Sequence, residues 1–223
     1  MNIRALIAEF IGGTFALIFV GAGSAAAGKG GIIGEALAHG LIIIAFIYAY
    51  GPISGTHINP AVTIAMWFAK QLDTQMAGLY IVSQFIGGIC AALLLRIVVG
   101  GERISRSATT LADGVGIDQG LIIEILLTFF LVTVIFNTAV SGKAGNAAPI
   151  AIGIAVTAMI FLGNPLTGAA LNPVRTLGPA IASGIFSNLW LYMIAPPFGA
   201  VMAALLYTNI FAVDQENINL FSV

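Results

Sequence analysis

Charge is scarce in this chain. Its 223 residues hold 8 Lys and Arg against 9 Asp and Glu, 8% in all, with a formal net charge of −1. A soluble domain carries roughly 25% charged residues, so composition alone places the chain in a bilayer. With no basic surplus, no nucleic-acid partner is expected. Cysteine is nearly absent: Cys90 stands alone in an apolar run. No internal disulfide and no thiolate cluster can form, and Cys90 reads as a small packing residue. Histidine is equally thin, with only His39 and His57. Neither belongs to a Ser–His or paired-Asp arrangement, so an enzyme is not expected, nor a metal site, nor any other cofactor.

What the chain does have is apolar length. Hydrophobic residues make up 59%, mean hydropathy is +1.05, and 27 glycines allow helices to approach closely. Apolar segments near the ~20 residues needed to cross a bilayer run at about 4–27, 33–51, 76–99, 117–140, 146–163 and 187–212. The first resembles a secretion signal ending at Ser24-Ala25-Ala26-Ala27, but Glu9 interrupts it and it is long enough to span, so it reads as the first transmembrane helix. Two further segments, 59–69 and 172–183, are apolar and helix-like but about half as long. At ~1.5 Å per residue each covers roughly 17 Å of a ~30 Å hydrocarbon core. The links are short and polar. Lys29, Lys70, Asp73, Arg103 and Arg106 read as solvated link charges, and the tail with Asp214 and Glu216 as frayed. Lys and Arg divide almost evenly between alternate sides, so the charge bias does not orient the chain.

The two short segments begin alike. Ser54-Gly55-Thr56-His57-Ile58-Asn59-Pro60-Ala61-Val62-Thr63 matches Thr167-Gly168-Ala169-Ala170-Leu171-Asn172-Pro173-Val174-Arg175-Thr176 in the order of residue types. From Asn59 to Asn172 is 113 residues, and Gly40 to Gly153 and Pro52 to Pro165 share that offset; Glu9 and Glu124 stand 115 apart. The chain is thus one transmembrane domain over 1–223, built of repeats at about 1–100 and 117–212. Each repeat holds three spans and one half-length helix, and an odd number of spans inserts the halves in opposite orientation.

Asn is a strong N-cap and Pro is favoured at the first helical position, so both stretches read as re-entrant loops ending in helix starts. Non-helical backbone at membrane depth survives only when buried in protein or lining a wet cavity. The loops at 52–58 and 164–171 therefore imply a pore or buried site, with carbonyls of Gly55, Thr56, His57, Gly168 and Ala170 as a ladder of acceptors. The two helix N-termini add about half an elementary charge each, beside the N–H donors of Asn59 and Asn172. Such a site hydrogen-bonds neutral solutes and repels cations and protons.

The pair Asn59-Pro60-Ala61 and Asn172-Pro173-Val174, with six spans and the inverted repeat, resembles the paired asparagine-proline-alanine motifs of aquaporins, the major intrinsic protein family. One departure is Val174 in place of the family's alanine, for which a small packing adjustment is expected. The resemblance implies an all-α membrane fold of six transmembrane helices plus two re-entrant half-helices. It also implies a homotetramer in the lipid bilayer with cytoplasmic termini, and a passive channel for water and small neutral solutes such as ammonia, hydrogen peroxide, urea or glycerol. A prokaryotic inner membrane is the expected location. A glycerol-type facilitator with low water flux and a proton-coupled transporter stand as alternatives.

The resemblance also implies a selectivity filter of four positions. They fall on His39, 20 residues before Asn59, and on Ile160, Ala169 and Arg175, at 12 before, 3 before and 3 after Asn172. Strict water channels place Phe and His at the first two positions. Glycerol facilitators place Trp and Gly or Phe there, with Asp after the arginine. His39, Ile160 and Thr176 match neither, and the set is similar to that of plant tonoplast intrinsic proteins. In such a filter His39 either hydrogen-bonds the permeant or braces Arg175. Glu9 and Glu124, carboxylates inside spans, raise the suspicion of a proton relay. Their repeat-related placement favours bracing of the loops instead. His57 divides between a structural bond and a pore-lining role. Tyr48, Tyr50, Tyr80, Trp67, Trp190 and Tyr192 read as interfacial or packing aromatics, and Asn137 and Asn164 as hydrogen-bonding residues near helix ends.

Overall fold

The computed structural model describes residues 2–212; the tail with Asp214 and Glu216 lies outside the described residues. Among the described residues there is no strand. The first span, α1, is a continuous helical run over 3–27 in which π-helical turns at Ala8–Phe15 and Leu17–Ala22 separate α-helical Ile3–Ile7 from Gly23–Ala27. Five further helices are each long and apolar enough to cross a bilayer. They are α2 (Gly31–Ser54), α4 (Thr74–Val99), α5 (Ile117–Ile135, prolonged by a π-turn at Phe136–Val140), α6 (Ala148–Thr167) and α8 (Leu189–Leu206, prolonged at Tyr207–Phe211). The half-length helices are α3 (Pro60–Phe68) and α7 (Pro173–Ser183). Their 9 and 11 residues give roughly 14 and 17 Å.

The packing obeys the repeat. α1 packs on α4 as α5 packs on α8, and α3 packs on α8 as α7 packs on α4. α2 packs on α6, which puts that pair on the pseudo-two-fold axis. Gly40 and Gly153 recur because the two helices touch there: a Cβ on either would strike the carbonyl oxygen of the other. Side chains such as Ile33, Leu41, Ile97, Ile154, Leu162 and Phe198 stand exposed on the outside. An outer surface of this kind is stable only against lipid or another apolar partner.

α4 carries two adjacent glycines with different tasks. A Cβ on Gly87 would meet the Phe10 carbonyl of α1, and one on Gly88 would overlap the side chain of Val174 on α7. Gly88 is therefore the adjustment that accommodates Val174, which is wholly buried. Gly88→Ala is expected to cost about 1–3 kcal/mol by overpacking. Adding Val174→Ala should recover most of that loss, and thermal unfolding in detergent across the four chains of the cycle measures the coupling.

Candidate functional site

The two re-entrant loops are near copies in three dimensions. Each incoming helix carries a proline, Pro52 or Pro165, and ends at a left-handed glycine, Gly55 (φ 79°) or Gly168 (φ 78°). Beyond it, two non-glycine residues are also left-handed: Thr56 (φ 49°) and Ile58 (φ 50°) in the first loop, Ala169 (φ 45°) and Leu171 (φ 53°) in the second. The backbone then turns extended at Asn59 and Asn172. Left-handed backbone at non-glycine residues costs on the order of 1–3 kcal/mol each, so something must hold it.

Glu9 and Glu124 hold it. Glu9 Oε1 accepts from Ser54 Oγ (2.7 Å) and His57 N (2.9 Å), and Oε2 from Ile58 N and Gln84 Nε2 (both 2.7 Å). Glu124 Oε1 accepts from Thr167 Oγ1 (2.6 Å) and Ala170 N (3.0 Å), and Oε2 from Leu171 N (2.9 Å). Two tyrosines complete the frame. Tyr80 donates to the Ser54 carbonyl (3.0 Å) and Tyr192 to the Thr167 carbonyl (2.8 Å). Both tyrosines are buried, which agrees with the packing half of the expectation of interfacial or packing aromatics, and their hydroxyls also anchor the loops. Trp67, Trp190 and Tyr48 are exposed.

At the end of each loop Asn59 and Asn172 cap their half-helices, accepting from Ala61 N and Val174 N (2.9 Å each). Each also reaches across the axis: Asn59 Nδ2 donates to the Leu171 carbonyl (2.8 Å) and Asn172 Nδ2 to the Ile58 carbonyl (2.9 Å). An amide NH2 has two hydrogens, so each asparagine keeps one N–H for a solute. The reciprocal bonds fix the two positive helix ends beside one another in the protein interior.

A cavity of about 100 Å³ passes this point, room for a file of several waters, since one water needs roughly 10–15 Å³. Its wall joins polar groups at Asn59, Asn172, Gly55, Thr56, His57 and Ala170 to aliphatic side chains that include Ile43, Leu131, Ile152 and Val156. Gly168 is not part of the wall; a Cβ there would meet Thr109 instead. Pro60, Ala61, Pro173 and Val174 are buried behind the wall, where they pack the half-helices. The His57 backbone N–H serves Glu9, its ring pairs with Thr63 Oγ1 (3.2 Å), and the residue also borders the cavity. Cys90 is exposed and outside the wall. Mercurial reagents are accordingly expected to leave solute flux through the wild-type chain unchanged, a result read by adding the reagent to a flux assay.

His39, Ile160, Ala169 and Arg175 also border the cavity. Arg175 is buried and three of its five N–H groups are engaged: Nε with His39 Nε2 (3.2 Å), Nη1 with the Ser107 carbonyl (2.8 Å) and Nη2 with Glu35 Oε1 (3.1 Å). His39 Nδ1 lies 2.8 Å from the Glu35 carbonyl, which only accepts. The proton is therefore on Nδ1, and Nε2 receives the arginine. Both ring nitrogens are used, so His39 braces Arg175 and has none left for a permeant. Two arginine N–H groups remain for the cavity, which Ile160 also borders.

Sequence reasoning missed the other partners of Arg175. Glu35 is one helical turn before His39, and that spacing on one face was the available signal. Its Oε2 accepts from Asn164 Nδ2 (2.9 Å). Ser107 comes from the 3-10 turn Arg103–Ser107 in the longest link, and Thr109 donates to Thr176 on α7 (2.7 Å). Nothing in the link's sequence announces that it dips inward, although Arg103 and Arg106 within it are exposed as expected.

The chain belongs to the major intrinsic protein family, whose sequence profile matches residues 1–207. Its fold is the aquaporin fold and its family is one of channels. Among curated relatives, probable aquaporin TIP3-2 of Arabidopsis thaliana is 40% identical, with 92% of this chain and 83% of that protein covered. Aquaporin TIP2-1 of the same plant is 35% identical over 99% of this chain and 92% of its own length. Glycerol uptake facilitator protein-like 6 of Lactiplantibacillus plantarum is 40% identical over 90% and 95%. The crystal structure of the aquaglyceroporin from Plasmodium falciparum superposes with a TM-score of 0.87, covering 97% of this chain and 100% of that one at 24% identity. The protein is thus an integral multi-pass membrane protein. The expectation of a prokaryotic inner membrane gains no support, because the relatives are mostly plant proteins alongside a bacterial one.

Proposed function

We propose that the chain is one passive pore, built from both repeats as a single domain, which carries water in single file together with small neutral solutes. The observation that carries this reading is the reciprocal Asn59–Leu171 and Asn172–Ile58 pairing, which sets two half-helix N-termini against the cavity. Two positive ends there oppose cations and protons, while a lone N–H from each asparagine orients a passing oxygen. Arg175, His39, Ile160 and Ala169 form the selective neck. Glu9 and Glu124 act as loop braces: their oxygens are engaged by loop and helix donors and are not in the cavity wall, which favours a channel over a proton-coupled transporter.

Ile160 and Ala169 bring an aliphatic, small-sided wall to the neck, an arrangement suited to ammonia, hydrogen peroxide and urea as well as water. A glycerol-type pore is the second reading, favoured by the aliphatic residues of the cavity wall. Kinship supports assembly as a homotetramer in the bilayer. The test is a permeability panel on proteoliposomes by stopped flow. Water flux above empty liposomes is expected, with ammonia flux beside it. No excess water flux rejects the reading, and glycerol flux well above water flux moves it to the second.

A further inference from the structure

We propose that Glu35 is a specificity-determining counter-ion of the neck, which cancels the Arg175 charge and keeps the guanidinium drawn against the wall so that small anions neither enter nor plug the pore. The inference rests on the pore reading above. Arg175 and Glu35 form the one ion pair among the described residues, at 3.1 Å, and both side chains are buried. The other charged side chains named in the links are exposed, so this carboxylate is not a stray surface charge. Its aim is fixed from the far side. Asn164 on α6 holds Oε2, which directs Oε1 at the guanidinium across the helix interface.

The placement of Glu35 matters as much as its charge. It does not border the cavity, whereas Arg175 does. A solute in the neck therefore meets the arginine's two remaining N–H groups and not the carboxylate, but it feels the sum of both charges. An unpaired guanidinium beside two half-helix N-termini would be a strong anion site, since all three present N–H donors and positive charge. Pairing removes the net charge while leaving donors for an oxygen. Water and other neutral hydrogen-bond acceptors are still held, and chloride or nitrate is no longer drawn in. His39 adds no compensating charge, because its Nδ1-protonated ring is neutral and wholly occupied.

The test measures water flux by stopped flow on proteoliposomes in sodium gluconate, chloride and nitrate at matched osmolarity. Wild type is expected to give one rate in all three. Glu35→Gln is expected to fall several-fold in nitrate and chloride relative to gluconate, in proportion to anion concentration. Glu35→Asp should restore an anion-independent rate, and Glu35→Gln with Arg175→Val should be anion-independent as well. A Glu35→Gln chain whose rate ignores the anion overturns the proposal, as does a wild-type chain that is already anion-sensitive, or a Glu35→Asp chain as sensitive as Glu35→Gln. If Glu35→Gln fails to fold, folding of the double variant upholds the pairing and its failure overturns it. A wild-type chain with no flux at all removes the pore reading and this inference with it. Wild-type flux with an anion-blind Glu35→Gln removes only the inference.

Discussion

Glu9→Leu is expected to abolish water flux and to lower the unfolding temperature in detergent by roughly 10 °C or more. Four donors converge on that carboxylate, from Ser54, His57, Ile58 and Gln84. Leucine fills a similar volume but accepts nothing. Hydrogen bonds to charged groups contribute about 1.5–3 kcal/mol each, and a buried donor left without a partner costs a similar amount. Even with strong non-additivity, losing the set removes several kcal/mol from a total that is ordinarily ~5–15 kcal/mol. For a chain of this length, 1 kcal/mol corresponds to about 2–4 °C. The Tyr80 and Asn172 bonds to the Ser54 and Ile58 carbonyls leave the His57 and Ile58 N–H groups without an acceptor, so the left-handed backbone at Thr56 and Ile58 should relax and displace Asn59 from Leu171. Glu9→Gln is expected to fall between, because its amide keeps one acceptor and turns the other oxygen into a donor facing a donor. Glu124→Leu should behave like Glu9→Leu but less severely, with three donors where Glu9 has four. A Glu9→Leu chain with wild-type flux and melting would refute the bracing role.

The same residues mark how far the sequence could be read. The half-helices, their N-caps and the inverted repeat were legible because they rest on local rules: Asn-Pro starts a helix, glycine ends one, and a fixed offset relates the copies. Bracing by Glu9 and Glu124 was legible from symmetry. Asymmetric partners were not. Gln84 serves Glu9, and Glu124 has no counterpart to it among the bonds formed; Glu35 and Ser107 serve Arg175, while Val62 at the matching place in the first repeat needs no such partners. These contacts join residues 68 to 140 positions apart, and neither periodicity nor spacing encodes them. The hydroxyl roles of Tyr80 and Tyr192, read only as interfacial or packing aromatics, escaped for a related reason. A tyrosine in an apolar helix is an interfacial or packing residue by default, and only the folded loop supplies the carbonyl that makes it an anchor. π-turns in the first span were likewise invisible, since they alter backbone winding without altering the apolar pattern.

Exchanging the two sides of the neck, with His39→Phe and Ile160→His in one chain, is expected to lower the ratio of ammonia to water permeability by about tenfold and to suppress urea flux. Two physical changes act together. A ring in place of the Ile160 side chain takes space from a cavity of about 100 Å³ that this residue borders, which excludes the broader urea first. It also replaces an aliphatic wall by one bearing hydrogen-bond groups. Ammonia gives up less than water on leaving bulk solvent, so an apolar wall penalises water more; adding a polar group there removes that relative advantage. The phenyl ring introduced by His39→Phe meanwhile accepts nothing from Arg175 Nε, which frees a third guanidinium N–H toward the cavity. One hydrogen bond gained by water in the transit barrier, ~1.4 kcal/mol, is a factor of about ten. Glu35 and Ser107 still hold the other two nitrogens, so the chain is expected to fold and to conduct water. Parallel stopped-flow traces for water, ammonia and urea read the ratios, and an ammonia-to-water ratio equal to that of the wild type would place selectivity elsewhere than on these two walls.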